Sequence, residues 1–119
     1  MAGAGEHLVK LLSAWNEADE DARAAILDEA LSAASFTYDD PDAPAAFEGT
    51  GGMAQYLSII RQSLPDAVLL PLGSPQVSHE TALLRARLDR NGEPFAHLVF
   101  VGVGGDDGLT RAARFVESE

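Results

Sequence analysis

The hydrophobic pattern of the chain changes its period about half-way along. Apolar residues between positions 8 and 15 recur at the three- and four-residue spacing of an amphipathic helix. An alanine-rich second helix is predicted to begin near Asp19, and a third to run from Thr50, as its N-cap, to the residue before Pro65. From residue 66 onward the pattern is typical of strands. Because helices precede strands instead of alternating with them, the sequence predicts an α+β fold rather than an α/β fold.

The predicted strands form a meander after one early strand. Residues 35–39 alternate, which predicts a short strand with Phe36 and Tyr38 on one side. The run 68–72 is nearly all apolar and predicts a strand buried on both faces, while 75–79 is weaker. Residues 81–89, 94–103 and 109–117 complete the meander, with glycine-rich residues 104–108 as the last turn.

Asn91-Gly92 is the strongest short hairpin signal in the chain, and it allows faces to be assigned. Counting outward from it pairs Leu88 with Phe95, Ala86 with His97, Leu84 with Val99 and Ala82 with Val101. His97 is then a lone polar residue on an apolar face. It is either a neutral core histidine or a polar group directed at a ligand.

The opposite face of this hairpin is predicted to be mixed. It carries Leu83, Arg85, Arg87, Leu98 and Phe100. Such a face is apolar enough for a subunit contact and charged enough to stay partly wet. We therefore expect a homodimer that forms through the outer face of the sheet.

Composition excludes several classes of function. The 119 residues predict one domain over 1–119, and 19 acidic against 8 basic side chains give a formal net charge of -11. That charge disfavours binding to nucleic acid and to anionic membranes. Cysteine is absent, and no signal peptide or membrane-length apolar run is found, so we expect a cytoplasmic protein without disulfides or thiol chemistry.

Several short motifs together resemble a known superfamily across nearly the whole chain. These are Leu12-Ser13-Ala14-Trp15-Asn16-Glu17, Tyr38-Asp39-Asp40-Pro41, Gly49, Pro65 ahead of the strands, the Gly-Asp-Asp-Gly turn at 105–108 and Arg114-Phe115. In order and spacing they resemble the NTF2-like superfamily, and within it the small SnoaL-like proteins of bacteria. The resemblance implies a cone, in which a strongly curved, mostly antiparallel sheet wraps round about three helices and leaves a pocket at its open end.

The ketosteroid isomerase branch of that superfamily suggests one chemistry. There a carboxylate just before a proline is the general base, and Asp40-Pro41 matches this position. Asp40 also shares the parity of Phe36 and Tyr38, so it is expected to face the same interior. In that branch a tyrosine of the first helix and a protonated aspartate of a late strand stabilise the developing oxyanion. Neither is matched here, since Leu11 occupies the position of the tyrosine and no acid lies between Glu93 and Asp106. The alternative is an aspartate that caps its own turn.

Other chemistries receive less support from the residues. Arg87-Leu88-Asp89 has the spacing of limonene epoxide hydrolases, but the position of their second acid is Arg114. The histidines at 7, 79 and 97 have no metal-ligand spacing, and Asp39, Asp40 and Asp42 lack the register of a calcium loop, so neither a metal nor another cofactor is expected. No nucleophile motif is present.

Two functions remain open from the sequence. The first is a protein with a pocket for a small apolar molecule and isomerase- or lyase-like proton transfer, with Asp40 as base and His97 or Tyr38 as donor to the developing oxyanion. The predicted lining of this pocket is Trp15, Phe36, Tyr38, Tyr56, Leu84, Phe95 and Val99. The second is a non-catalytic ligand-binding or dimeric interaction module whose pocket is filled by its own side chains.

Overall fold

A computed structural model describes residues 3–32, 35–41 and 45–117, and the predicted site elements other than Asp42 fall within these ranges. Its helices are α1 (Ala4–Asn16), α2 (Glu20–Ala30) and α3 (Gly49–Ser63). Its strands are β1 (Thr37–Asp39), β2 (Phe47–Glu48), β3 (Ala67–Pro71), β4 (Gln76–Ser78), β5 (Thr81–Arg90), β6 (Glu93–Gly105) and β7 (Gly108–Val116). The predicted α+β class and the predicted order of elements are confirmed, and β2 is an addition to them.

The strands form one mixed sheet with the order β2-β1-β7-β6-β5-β3, and β4 pairs with the other end of β5. The pairings between these strands are antiparallel except that of β1 with β7, which is parallel. Helix α1 packs across β3, β5, β6 and β7 on one face of the sheet. That inner face and the helices enclose the apolar core, while the described residues place no helix on the outer face.

The helix ends follow local hydrogen bonding. Helix α2 begins next to Asp19, as predicted, and Asp19 caps it, because its side chain accepts a hydrogen bond of 2.8 Å from the backbone N–H of Ala22. The prediction that Thr50 caps α3 is wrong. The N-cap is Glu48, two residues earlier, and the first helical residue is Gly49. The N–H of Gly49 donates to the carbonyl of Phe36 and is therefore satisfied without a side-chain cap.

Strand β3 is not buried on both faces, contrary to the sequence prediction. Only Leu69 is buried, whereas Val68 and Leu70 are exposed. Within the described residues β3 lies at the end of the main strand order. Helix α1 packs on one of its faces, and the side chains on the other face are exposed. The side chain of Asn16 fixes this edge by bonding both the N–H and the carbonyl of Leu69 at 2.8 Å.

A β-bulge near the hairpin changes the face of every residue that follows it in β6. Asn91 and Gly92 form the predicted turn with positive φ angles of 52° and 79°, but the register shifts between Leu88 and Asp89. Pro94, opposite Asp89, has no N–H to donate, so the ladder is interrupted there. The observed partners are Leu88 with Ala96, Ala86 with Leu98, Leu84 with Phe100 and Ala82 with Gly102.

The predicted faces of β6 are therefore wrong, while those of β5 hold. Leu98 and Phe100 point into the core instead of outward. His97 is exposed on the outer face, opposite Arg87, and Val99 lies on the same face opposite Arg85. Phe95, in the bulge, is 61% exposed and stacks on the guanidinium of Arg90 at 5.5 Å.

None of the helices in the described ranges is long and apolar enough to cross a bilayer.

Candidate functional site

The parallel pairing of β1 with β7 brings a carboxylate and a guanidinium together inside the fold. Tyr38 lies beside Ala112 and Asp39 beside Ala113, so the next residue on each strand places Asp40 near Arg114. Arg114 Nη2 donates to Asp40 Oδ1 at 2.8 Å. The Asp40 side chain is 0% exposed and that of Arg114 is 9% exposed, so this ion pair is enclosed by protein.

Two tyrosine hydroxyls converge on the other oxygen of the same carboxylate. Tyr38, from β1, donates to Asp40 Oδ2 at 3.3 Å, and Tyr56, from α3, donates to it at short range. The two hydroxyl oxygens lie 3.4 Å apart. We call Asp40, Arg114, Tyr38 and Tyr56 the Asp40 cluster. Three elements position its members: β1, which Asp40 directly follows, α3 and β7.

Aromatic rings surround this cluster on the core side. The ring of Trp15, from α1, meets those of Tyr38 and Tyr56 edge-on at centroid distances of 6.1 Å, and that of Phe100 at 5.2 Å. Tyr56 also packs against Phe47 at 5.1 Å. The polar cluster is thus set in an apolar wall, where water is scarce and electrostatic interactions are strong.

Burial raises the pKa of both tyrosines well above its ordinary value. For Tyr38 the neighbouring Tyr56 adds to the effect of burial, and for Tyr56 the hydrogen bond donated to Asp40 does so. Both hydroxyls therefore stay protonated throughout the neutral pH range. They act as fixed hydrogen-bond donors directed at one point.

The cleft on the Trp15 side of the cluster is small. Beside Trp15, a cleft lined by residues of α1, α3, β3 and β5, among them Ile60, Leu64, Leu69 and Leu88, has a volume of about 10 Å³. That volume is about what one water molecule needs, whereas ligand pockets typically measure about 300–1,000 Å³. A ligand could reach the Asp40 cluster from this side only if the walls of the cleft moved apart.

The structure brings together some of the predicted site residues and separates others. Tyr38 and Tyr56 contact both the ring of Trp15 and the carboxylate of Asp40. Phe36 and Leu84 are buried in the same core. The remaining three do not join them: His97 and Val99 lie on the outer face, and Phe95 is exposed in the bulge. His97 is therefore remote from the position in which the sequence placed it as a donor.

The sequence prediction of the site missed Arg114. Strand β7 alternates, and Arg114 has the parity of buried Ala112, whereas Arg111 and Phe115 are exposed. Arg114 could have been identified from the sequence, because it is a cation with the same parity in the strand as the buried Ala112. The Arg87-Leu88-Asp89 motif is in contrast a two-point ion pair of 2.7 and 2.9 Å on the outer face.

No group of three or more histidine, aspartate or glutamate side chains in residues 3–32, 35–41 and 45–117 is arranged to hold a metal ion.

Solved structures give a clear relationship at the level of the fold. A proposed isomerase of the SnoaL-like family from Agrobacterium tumefaciens superimposes with a TM-score of 0.84 and 23% identity, over 94% of this chain and 95% of that one. The chain has the NTF2-like fold. No protein-family profile and no curated protein matches the sequence.

Two further solved structures share this fold. A proposed SnoaL-like polyketide cyclase from Jannaschia has a TM-score of 0.73 and 13% identity, over 98% of this chain and 89% of that one. A protein of ketosteroid isomerase-like fold from Catenulispora acidiphila, in complex with trimethylamine, has a TM-score of 0.74 and 14% identity, over 94% and 85%. At these identities the likeness establishes architecture, and activity must be argued from the residues.

Proposed function

We propose that this NTF2-like protein binds a small, mostly apolar carbonyl compound beside the Asp40 cluster and catalyses cofactor-free proton transfer of the isomerase or lyase type. The observation that supports it is the convergence of two tyrosine hydroxyls and one guanidinium on a carboxylate that is enclosed by aromatic rings. A buried polar cluster of this kind contributes little stability beyond what apolar residues would give, and such clusters concentrate at functional sites.

Three members of the cluster, Asp40, Tyr38 and Tyr56, have a role in this chemistry. Asp40 is the base, and the C–H bond next to the ligand carbonyl breaks, its proton passing to the carboxylate. The electron pair of that bond moves into the ligand and leaves negative charge on the carbonyl oxygen. Tyr38 and Tyr56, held in their protonated form by burial, donate hydrogen bonds to this oxygen. Return of the proton to another carbon completes an isomerisation.

Binding requires the aromatic wall to open, and helix α3 is the element suited to move. It carries Tyr56 and packs chiefly on α2 and β2, with less contact to α1. Its first four residues include Gly49, Gly51 and Gly52, which weaken the start of a helix. Displacement of α3 from α1 separates Tyr56 from Trp15 and widens the cleft, as in ligand-dependent selection of a minor conformation.

Trp15 makes this proposal measurable, because it is the single tryptophan of the chain and touches two cluster tyrosines. A series of apolar carbonyl compounds is titrated while Trp15 fluorescence is recorded. Compounds that bind are then incubated in D₂O, and exchange of their α-hydrogens is followed by NMR. We expect saturable fluorescence changes and accelerated exchange.

The variant Asp40→Asn should still bind these compounds but lose at least about 100-fold in exchange rate, the usual size of a general-base contribution. The matched control is Asp66→Asn, which breaks a different aspartate–arginine pair, with Arg90, at the edge of the sheet. D66N should exchange at the wild-type rate. Equal exchange by wild type and D40N would exclude Asp40 as the base.

A second candidate function, association through the sheet, is favoured by the outer face. Its centre is apolar, made by adjacent residues of three strands: Leu83, Val99, Val101, Ala113 and Phe115. Three ion pairs border this centre: Arg85 with Glu117, Arg87 with Asp89 and Arg111 with Asp39. An apolar centre with a charge-balanced rim is the anatomy of a protein interface, and we infer that a second copy covers it. If no carbonyl compound perturbs Trp15, this interaction role is the function that remains.

A further inference from the structure

Arg114 is a permanent cation held inside the fold. Its side chain is 9% exposed, and it points from β7 toward Asp40 with Nη2 at 2.8 Å from Oδ1. A guanidinium does not lose its proton at any pH at which the protein is folded. The charge of the Asp40 cluster can therefore change only at Asp40 or on a ligand.

Proton transfer to Asp40 removes a negative charge next to this cation. In an enclosed site two opposite charges at such a distance interact far more strongly than in water. Once the proton is on Asp40, the guanidinium keeps an enclosed counter-ion only if another negative charge forms close to it. The proposed reaction forms one, because the electron pair of the broken C–H bond ends on the ligand oxygen.

The geometry points to Arg114 as a catalytic group that exchanges its counter-ion. It pairs with Asp40 in the resting protein and with the anionic oxygen of the ligand once Asp40 holds the proton. This inference rests on the proposed function and extends it. Arg114, with Tyr38 and Tyr56, supplies the electrophilic half that Leu11 and the acid-free late strand do not.

The same reasoning defines the charge of the substrate. A ligand that already carried a carboxylate would compete with Asp40 for Arg114 and add a second negative charge beside Asp40. A neutral carbonyl compound with an acidic neighbouring C–H keeps the total charge constant through the transfer. The site is therefore matched to neutral substrates that become monoanions.

The variant Asp40→Asn reproduces the charge of the protonated aspartate without changing its shape. The probe is 4-nitrophenol, whose ionised form absorbs visible light. This form resembles an enolate because its negative charge lies on an oxygen attached to an unsaturated carbon. The neutral control is 4-nitroanisole. We expect D40N to bind the ionised probe at least tenfold more tightly than the control, and to lower the pKa of the bound phenol below its value in solution.

The double variant D40N/R114M tests whether Arg114 is responsible. Without the guanidinium the apolar surroundings should raise the pKa of the bound phenol and remove the preference for the anion. The proposal is overturned if the preference persists in D40N/R114M, or if folded D40N binds no anion. Should D40N not fold, Asp40→Ala is measured with formate, which must raise its melting temperature but not that of D40A/R114M.

The results separate this inference from the proposed function. If the pKa of the bound phenol is lowered in D40N but not in D40N/R114M, and no carbonyl compound undergoes α-hydrogen exchange, the anion site is supported and the enzymatic proposal is excluded. If the wild type catalyses exchange and the pKa of the bound phenol is the same in D40N and D40N/R114M, the enzymatic proposal stands and Arg114 has no part in its chemistry.

Discussion

Asp40 and Arg114 are 74 positions apart in the chain, yet their side chains meet at 2.8 Å in the interior. One residue before Asp40, Asp39 pairs with Arg111 at 3.3 Å on the opposite, outer side. The alternation of β1 and β7 thus sends two successive aspartates to two arginines of one strand. One pair is enclosed by aromatic rings and the other is in water.

These two pairs should differ greatly in their contribution to stability. Removing one partner of a buried pair leaves a charge without compensation, so Arg114→Met should lower the free energy of unfolding by about 3 kcal/mol. Arg111→Met removes a cation that is 67% exposed and should cost less than about 1 kcal/mol. Urea unfolding followed by Trp15 fluorescence, at one protein concentration, compares them. Equal losses would mean that the enclosed pair carries no special electrostatic weight.

Alkaline pH should unfold the protein through its tyrosines. The folded-state pKa of Tyr38 and of Tyr56 lies above the unfolded value of about 10, chiefly because both are buried. Below pH 10 their contribution to stability is complete. Above it, the unfolded chain releases protons that the folded chain retains, and each tyrosine lowers the free energy of unfolding by about 1.4 kcal/mol per pH unit.

The chain has only these two tyrosines, so the titration is simple to read. We expect no ultraviolet tyrosinate absorbance near pH 10 in the folded protein. It should appear together with the change in Trp15 fluorescence that marks unfolding. A tyrosinate signal that rises at pH 10 before unfolding would show that a hydroxyl is accessible to solvent.

The sequence was informative wherever one face of an element is clearly apolar. The helices, the switch to strands and the placement of Phe36 and Tyr38 on one side all follow from periodicity, and both side chains are buried. Strand β6 differs because residues 94–103 are apolar on both faces, so alternation does not reveal which face is inside. Because the bulge adds a single residue to β6, Phe100 faces the core where the sequence predicted Val99.

The site was predictable in part for the same reason. Asp40 was singled out by the resemblance of Asp40-Pro41 to the ketosteroid isomerase branch, and its parity with Tyr38, a local property, indicated that it faces the interior. Its partners Tyr56 and Arg114 come from α3 and β7, and only the three-dimensional fold determines that their polar atoms meet it. Parity alone also could not show that the Asp40 side chain is fully enclosed, or that the cleft beside Trp15 is so small.

The cap of α2 gives an independent test of local structure. Asp19→Ala removes the acceptor of the 2.8 Å hydrogen bond from Ala22 N–H, and should lower the free energy of unfolding by about 1 kcal/mol. Asp19→Ser, which retains a capping oxygen, should recover most of that loss. The control Asp28→Ala, in the last turn of the helix where a negative charge is unfavourable, should not destabilise. Equal losses in D19A and D19S would contradict the capping role.

The outer face should mediate a homodimer, and a single charge introduced at the centre of that face should prevent the dimer from forming. Val101 lies between Leu83 and Ala113 at the centre of the apolar area, and Val101→Glu would place an uncompensated carboxylate there. We expect sedimentation velocity to show a dimer for the wild type and a monomer for V101E. The matched control is Val9→Glu, since Val9 is a 41% exposed valine of α1, outside the sheet.

V9E makes the same change in charge and should remain dimeric. Circular dichroism of both variants should match that of the wild type, because Val101 does not face the core. A wild type that is monomeric at high micromolar concentration would exclude the homodimer. Dissociation of V9E and V101E alike would attribute the effect to the overall charge of -11 becoming more negative, and not to the outer face.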